Sequence, residues 1–290
     1  MIEGGLIKRI PASSFRTQKR NGKGVKNQDD ITNAVIRTNT IDSLMVFSDK
    51  GKMYRLLVND IPVGTNVSKG TSVKSLINMD MDEQPAVMYS IYRDTDAAYV
   101  LFVTKNGLVK KTALDEYVKT KKKTGIAAIS IKEGDELAAV SLVKDEQLIL
   151  VTANGMAIRF DSKEVAATSR ATSGVKGINL ADGDSIVAAI PVRNVNDKLA
   201  VFVQGGMAKK FSLDELPIQK RAGKGLMCYK PTDSTGKVAA ATLIEDTDNV
   251  LIIGDSTSIC ISAEEIPVLG RASIGNQVIK NNVIKSVSKV

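Results

Sequence analysis

Residues 46–55, VFSDKGKMYR, contain the unit that decides the fold: an apolar run, a turn that includes Gly51, and a second short apolar segment. Further copies lie at residues 101–111, 150–160, 201–211 and 251–261, with a shortened first copy at residues 5–9. The turn residues of the six copies are, in chain order, Gly5, Gly51, Gly107, Gly155, Gly206 and, with the glycine replaced, Ser256. A second glycine follows 18 or 19 residues later, at Gly24, Gly70, Gly125, Gly174, Gly225 and Gly275. Two markers that keep one spacing along the whole chain indicate a unit of about 50 residues repeated six times.

Each repeat predicts about four β-strands and no helix. Apolar runs rich in Val, Ile and Phe flank the first glycine. An Asn-Gly pair between two such runs, as at Asn106-Gly107, predicts a hairpin in which both turn residues have positive φ. One further strand follows the second glycine, and a last strand follows a Gly-Asp turn such as Gly183-Asp184.

Units of this size cannot bury a core singly and must stack on their neighbours. We therefore expect an all-β fold, a six-bladed, propeller-like closed disc with about four strands per blade. An open β-solenoid is the alternative, although its repeats are usually shorter. The predicted domain covers residues 1–290, with repeats at 1–42, 43–96, 97–147, 148–197, 198–248 and 249–290.

Composition excludes several classes of function. The 290 residues contain no His, which removes the commonest general base and metal ligand at neutral pH. Cys228 and Cys260 lie in different repeats without metal-type spacing, so we expect buried, reduced thiols. Carboxylates that recur beside turns, such as Asp214-Glu215, are typical of caps rather than of acid/base pairs. The sequence has no phosphate-binding ATPase motif, no apolar run long enough to span a membrane and no signal peptide. We predict a cytoplasmic domain with no metal, no cofactor and no catalytic residue.

The net charge of +8 makes polyanions plausible partners, and its distribution is periodic. Three and four residues beyond the turn residue, five of the six repeats carry at least one cation, and the sixth carries none. These cations are Lys8, Arg9, Arg55, Lys110, Lys111, Arg159, Lys209 and Lys210. Equivalent positions on a closed disc form a ring, so we predict that they line a rim that a bent DNA duplex follows. On an ordinary solvated face the sign of the charge would vary between repeats.

The loops that end at the second glycine add further positive charge. Glycine lets backbone N–H groups approach phosphate oxygens, while Lys and Arg supply charge. Taken singly, each loop is an ordinary turn. The additional DNA contacts predicted in or beside these loops are Lys69, Lys121, Lys122, Lys123, Arg170, Lys176, Lys220, Arg221 and Lys224.

Residues 18–24, QKRNGKG, are the most specific motif. They resemble the gyrase-A box, a QRRGGKG heptad in the first blade of the C-terminal domain of the DNA gyrase A protein. The matching positions are Gln18, Arg20, Gly22, Lys23 and Gly24. Lys19 keeps the charge but loses the guanidinium fork, and Asn21 replaces a glycine with a residue that tolerates a left-handed conformation. Residues 219–225, QKRAGKG, resemble the heptad less closely and carry less weight.

The resemblance extends over nearly the whole chain, including residues 104–112, TKNGLVKKT. On these motifs the chain is identified as a member of the family of C-terminal domains of type IIA topoisomerase A subunits. The resemblance implies a six-bladed β-pinwheel whose blades exchange strands with their neighbours. It also implies that the catalytic tyrosine lies in a preceding domain, and that the box lies between the first and last blades.

For the gyrase branch, the resemblance implies sequence-tolerant wrapping of double-stranded DNA with a positive hand, so that the parent enzyme introduces negative supercoils using ATP. The implied partners are DNA, the N-terminal breakage-reunion domain of the same polypeptide and, indirectly, the ATPase subunit, in the nucleoid of a bacterium. The alternative parent is topoisomerase IV, whose corresponding protein has a degraded box and sometimes fewer blades. A propeller that binds other proteins is the third interpretation.

Overall fold

The computed structural model describes residues 5–26, 34–65, 68–92, 95–119 and 124–290. Within these ranges the fold is all-β. The strands of the first three repeats are β1 (Leu6–Ile7), β2 (Val25–Lys26), β3 (Ser43–Ser48), β4 (Lys52–Leu57), β5 (Thr71–Ser72), β6 (Pro85–Ile91), β7 (Tyr99–Thr104), β8 (Leu108–Ala113), β9 (Ile126–Ala127) and β10 (Leu137–Val143). Those of the last three repeats are β11 (Gln147–Thr152), β12 (Met156–Asp161), β13 (Val175–Lys176), β14 (Ile186–Val192), β15 (Lys198–Val203), β16 (Met207–Ser212), β17 (Leu226–Met227), β18 (Val238–Ile244), β19 (Asn249–Gly254), β20 (Thr257–Ser262), β21 (Asn276–Gln277) and β22 (Ile284–Lys289).

Short helical turns connect some of these strands. Two are single α-turns, Val73–Leu76 and Asp115–Val118, where the sequence predicted no helix. The others are 3-10 turns at Ala12–Ser14, Val58–Asp60, Ser162–Glu164, Leu213–Glu215 and Ala263–Glu265. Each of the last four follows the strand that leaves a hairpin.

Five antiparallel four-stranded sheets form five blades. We number each blade by the repeat that supplies its central hairpin: blade two is β6-β3-β4-β9, blade three β10-β7-β8-β13, blade four β14-β11-β12-β17, blade five β18-β15-β16-β21 and blade six β22-β19-β20-β2. The first-named strands of successive blades contact one another, so they line the centre of the fold. The last-named strands, each of two residues, form the outer edge.

Every blade receives its outer strand from the next repeat. In blade three, for example, β13 of the fourth repeat pairs with β8. The exchange also joins the two ends of the chain, because β2 of the first repeat pairs with β20 of the sixth. Since β1 pairs in turn with β5 of the second repeat, chain contacts continue around the full circle. The strand exchange implied by the family resemblance is confirmed.

The prediction of six four-stranded blades is wrong, because the described residues form five. The described part of the first repeat forms only the two-stranded sheet of β1 and β5. Residues 34–40, which occupy the place of an inner strand, form no strand.

The hairpins of blades two to five have three-residue loops, whereas that of blade six has the two-residue loop Asp255-Ser256. The Gly51 N–H donates to the Ser48 carbonyl at 3.0 Å, and Gly51 has φ of +74°. This geometry is a type I turn followed by one left-handed residue. Gly107 repeats it with φ of +79°, while Asn106 is not left-handed, so the prediction of two residues with positive φ is wrong.

Apolar side chains between adjacent blades form the core. Phe47 of blade two and Phe102 of blade three meet edge to face, with ring centroids 5.3 Å apart. Cys228 and Cys260 are buried free thiols, as predicted, and burial raises the pKa of Cys228 to about 12. No helix in the described ranges is long and apolar enough to cross a membrane.

Candidate nucleic-acid interface

The box at residues 18–24 lies across the outer edge of blade six. Its first residue, Gln18, donates its N–H to the Cys260 carbonyl of β20 at 2.7 Å. The Gln18 side-chain oxygen accepts the N–H of Gly24 at 3.2 Å, which closes the loop on itself. At its middle, the Asn21 N–H donates to Val278, next to the outer strand of blade five, at 2.9 Å. The box, which belongs to the first repeat, therefore lies on the last blade and also contacts blade five.

The second heptad, residues 219–225, is held in the same way on blade four. Gln219 donates its N–H to the Arg159 carbonyl of β12 at 2.7 Å. The Ala222 N–H donates to Gly177, next to the outer strand of blade three, also at 2.7 Å. The second heptad resembles the gyrase-A box less closely in sequence, but it is equivalent to the first heptad in its backbone contacts.

The two heptads also share a backbone conformation. Asn21 and Ala222 have φ of +59° and +65°, and the closing glycines Gly24 and Gly225 have φ of +64° and +74°. The corresponding loops on blades three and five, residues 168–174 and 269–275, have no residue with positive φ. The left-handed residues therefore coincide with the two loops that carry three cations each.

Both heptads present positive charge at the surface. Lys19, Arg20 and Lys23 are exposed in the first heptad. In the second, Lys220 and Lys224 are exposed, while Arg221 is half-buried and donates from Nη1 to the Lys176 carbonyl at 2.9 Å.

The cations of the hairpin strands are placed differently from the prediction. Five of them are buried, with exposed fractions of 8% or less: Lys110, Lys111, Arg159, Lys209 and Lys210. The prediction that they line an exposed rim is wrong for these five. Each of them lies on the third strand of its sheet, where a turn or loop of a neighbouring segment of the chain covers the side chain.

Most of these cations bond backbone carbonyl groups of the next blade. Lys111 Nζ donates to the Ser162 carbonyl at 3.1 Å, Arg159 Nη1 to the Leu213 carbonyl at 3.0 Å and Lys210 Nζ to the Ala263 carbonyl at 2.7 Å. Each acceptor is the first residue of the 3-10 turn in the following repeat. The cations therefore do recur at equivalent positions, as the sequence indicated, but at these positions they join one blade to the next.

Two buried lysines reach other acceptors. Lys110 Nζ donates to the Ala128 carbonyl at 2.9 Å and lies 5.0 Å from the centre of the Phe102 ring. Lys209 Nζ donates to the Gly270 carbonyl at 2.9 Å. Burial lowers the pKa of Lys110 and of Lys209 to about 8, because an apolar environment disfavours the charged ammonium.

The remaining predicted contacts fall into three groups. Arg55, Lys69 and Lys176 are exposed. Lys8, Arg9 and Arg170 are half-buried, and each donates to a backbone carbonyl, of Ser68, Ile61 and Glu116 respectively. Lys121, Lys122 and Lys123 lie outside the described residues.

Sequence reasoning missed a set of glutamates beneath these loops. Nine residues beyond the turn residue, four repeats carry Glu116, Glu164, Glu215 and Glu265. Their place beside turns is typical of caps, which gives no reason to expect a contact with another loop. The structure nevertheless brings each one to the arginine of the following loop, and the recurrence at a fixed position was the signal that could have identified them.

The fold and its outer loops define a class: a propeller-like domain of strand-exchanged blades with cationic loops at the outer edge. The chain matches the family described as DNA gyrase C-terminal domain, beta-propeller, over residues 3–33, 42–80, 98–144, 146–193, 197–245 and 261–283. The chain belongs to this family.

Individual relatives agree with this assignment. The DNA gyrase A protein of Lawsonia intracellularis is 34% identical over 95% of the chain, and the chain spans only 34% of that protein. Among solved structures, a DNA gyrase A C-terminal domain superposes with a TM-score of 0.88 at 26% identity, covering 100% of this chain and 97% of the other. The C-terminal domain of a DNA topoisomerase IV gives a TM-score of 0.78 at 28% identity, covering 100% and 91%.

Proposed function

We propose that this domain binds duplex DNA without sequence specificity and bends it around the outer edge, as the C-terminal domain of a gyrase A protein. The observation that carries the proposal is the equivalence of residues 18–24 and 219–225, which place two triplets of cations at the outer edges of blades six and four. Cations spaced along a curved edge are suited to a curved phosphate backbone.

The electrostatics are compatible with bending. Curving 20–30 base pairs smoothly by 40–90° costs on the order of 1–6 kcal/mol. Contacts from the two heptads, with Arg55, Lys69 and Lys176, offset this cost cumulatively. The helices of the described ranges are single turns, too short to read bases in a major groove, which supports recognition of backbone rather than sequence.

The parent enzyme that fits best is a gyrase. In that setting the domain would wrap DNA beside the breakage-reunion domain of its own polypeptide, and the ATPase subunit would drive negative supercoiling. The domain itself would contribute binding and bending rather than chemistry. Topoisomerase IV is the second candidate, favoured by the five four-stranded blades and by the departures at Lys19 and Asn21. ATP-dependent supercoiling of relaxed plasmid by the holoenzyme, as opposed to decatenation without supercoiling, separates the two.

The salt dependence of DNA binding tests the proposal. Each phosphate neutralised contributes about −0.9 to the slope of log K against log salt concentration. Binding that weakens steeply with salt and is indifferent to duplex sequence supports DNA as the ligand. Binding without such a slope supports instead the interpretation as a protein-binding propeller.

A further inference from the structure

Each of the four cationic loops described on blades three to six contacts a glutamate of the preceding repeat. The Arg221 N–H donates to Glu164 Oε2 at 3.1 Å, and the Arg271 N–H donates to Glu215 Oε2 at 2.7 Å. In the first heptad the Arg20 N–H donates in the same way to Glu265 Oε2. On blade three the contact is an ion pair, with Arg170 Nε 3.4 Å from Glu116 Oε2.

These glutamates are unexpected at a surface that binds DNA. A carboxylate close to phosphate groups repels them, so it weakens binding unless it has another role. The recurrence of the backbone contact at the same place in three repeats, with an ion pair there in the fourth, indicates that role. The acceptor is a charged oxygen, and hydrogen bonds of this kind are stronger than those between neutral groups.

We infer that Glu265 is a positioning residue for the first heptad: it fixes the backbone at Arg20 so that the cations of residues 18–24 hold the DNA in its bent course. The inference rests on the proposed function. The Glu265 carboxylate is expected to promote bending of the DNA rather than affinity for it, since its negative charge opposes binding. Glu164 has the equivalent role beneath the second heptad.

Glu264 provides a matched control on the same turn. It is exposed and lines the same groove as Lys19, Arg20 and Glu265. In the described part of the chain its carboxylate accepts no hydrogen bond from the heptad. Replacing Glu264 changes the local charge by the same amount as replacing Glu265 without removing the contact to Arg20.

The first experiment needs no DNA. Limited trypsinolysis of the whole chain reports how often the segment containing Lys19, Arg20 and Lys23 opens. Loss of a hydrogen bond to a charged group corresponds to about tenfold faster cleavage there in Glu265→Ala. Cleavage in Glu264→Ala should equal that of the wild type. Equal rates in all three proteins would overturn the positioning role, whatever the domain binds.

The second experiment measures affinity and bending together on one duplex. Glu265→Ala should bind DNA at least as tightly as the wild type but lose bending, measured by fluorescence transfer between the ends of the duplex. Glu265→Gln should restore bending, because its amide oxygen still accepts the Arg20 N–H. Bending that survives in Glu265→Ala, or is lost equally in Glu264→Ala, contradicts the inference. A wild-type protein that does not bend DNA contradicts the proposed function instead, and leaves the trypsin result to decide whether Glu265 holds the loop.

Discussion

Asn21 and Ala222 lie 201 positions apart in the sequence and adopt the same left-handed backbone conformation, with φ of +59° and +65°. Each donates its N–H to a residue just beyond the outer strand of the blade before, Val278 for Asn21 and Gly177 for Ala222. Asn tolerates this conformation, whereas Ala has no side-chain group that compensates for it. Retaining it at Ala222 indicates that the shape of the loop is needed there.

The cost of that conformation is measurable. A left-handed residue with a Cβ costs roughly 1–2 kcal/mol, and glycine avoids this cost but loses more entropy on folding. We expect Ala222→Gly to raise the free energy of unfolding by about 0.5–1 kcal/mol. Ala272, at the same place in the blade-five loop, is not left-handed, so Ala272→Gly should lower it by a similar amount. Denaturant unfolding of both variants checks the prediction, and a shift of the same sign in both would contradict it.

The two heptads should contribute comparably to DNA binding. We expect Lys19→Ala/Arg20→Ala/Lys23→Ala and Lys220→Ala/Arg221→Ala/Lys224→Ala each to abolish bending while leaving residual binding, with each lost phosphate contact reducing the salt slope by about 1. Titrations at several salt concentrations, with bending followed by fluorescence transfer, provide the measurement.

The control removes the same charge elsewhere. Lys132, Lys237 and Lys280 are exposed in the turns that precede the inner strands, and none of their side chains bonds a heptad residue in the described part of the chain. The triple alanine variant at these positions should keep both bending and the wild-type salt slope. If it loses bending as fully as the heptad variants do, net charge rather than placement determines the interaction.

Lys210 and Arg55 occupy equivalent strand positions but differ in burial. Lys210 is 2% exposed and bonds the Ala263 carbonyl, whereas Arg55 is exposed. Lys210→Met should lower the free energy of unfolding by about 1–3 kcal/mol, because it removes both the hydrogen bond to the Ala263 carbonyl and the ion pair with Asp246, and it should not change the salt slope. Arg55→Ala should change stability by less than about 0.5 kcal/mol and reduce the salt slope. The reverse pattern would show that the buried position carries the DNA contact.

The lowered pKa values of Lys110 and Lys209 predict that the stability of the protein rises with pH. Their pKa is about 8 in the folded protein, against about 10.4 for an ordinary lysine. Above pH 8 the unfolded chain therefore binds more protons than the folded chain, and the free energy of unfolding increases, by at most about 1.4 kcal/mol per pH unit for each group. The increase begins near pH 8 and continues towards the ordinary lysine pKa.

Cys228 opposes this trend above about pH 8.5, since its raised pKa keeps the thiol protonated only in the folded state. Comparison with a Lys110→Met/Lys209→Met variant, which retains Cys228, isolates the lysine contribution. Urea unfolding at intervals between pH 7.5 and about 9 should give a more positive slope for the wild type. Parallel slopes would mean that both lysines keep ordinary pKa values when folded.

The sequence predicted the strand order within a repeat and the cyclic arrangement because glycine spacing and apolar alternation are local and repetitive. The first heptad was identified instead by its resemblance to the gyrase-A box, and its contact with DNA stays a prediction. The sequence overestimated the number of blades, since Gly5 and Gly24 keep the spacing of the other glycine pairs although the described part of the first repeat forms only the two-stranded sheet of β1 and β5.

The burial of Lys210 was not predictable from one repeat. Its ammonium group pairs with Asp246 of its own repeat and donates to the Ala263 carbonyl of the next repeat, and the second contact depends on how adjacent blades pack. A periodic cation on an exposed edge and one between two blades give the same sequence pattern. The glutamate contact of Arg20 was hidden for the same reason, because Glu265 lies 245 positions away in the chain.

The most direct test of DNA wrapping is the linking number of nicked circles sealed by ligase with the chain bound. Wild-type protein should shift the topoisomer distribution progressively as the edge becomes saturated, the two heptad variants should give no shift, and the Lys132, Lys237 and Lys280 control should match the wild type. An unshifted distribution for wild-type protein at saturating concentration, or an undiminished shift in both heptad variants, would contradict wrapping of DNA around the cationic loops.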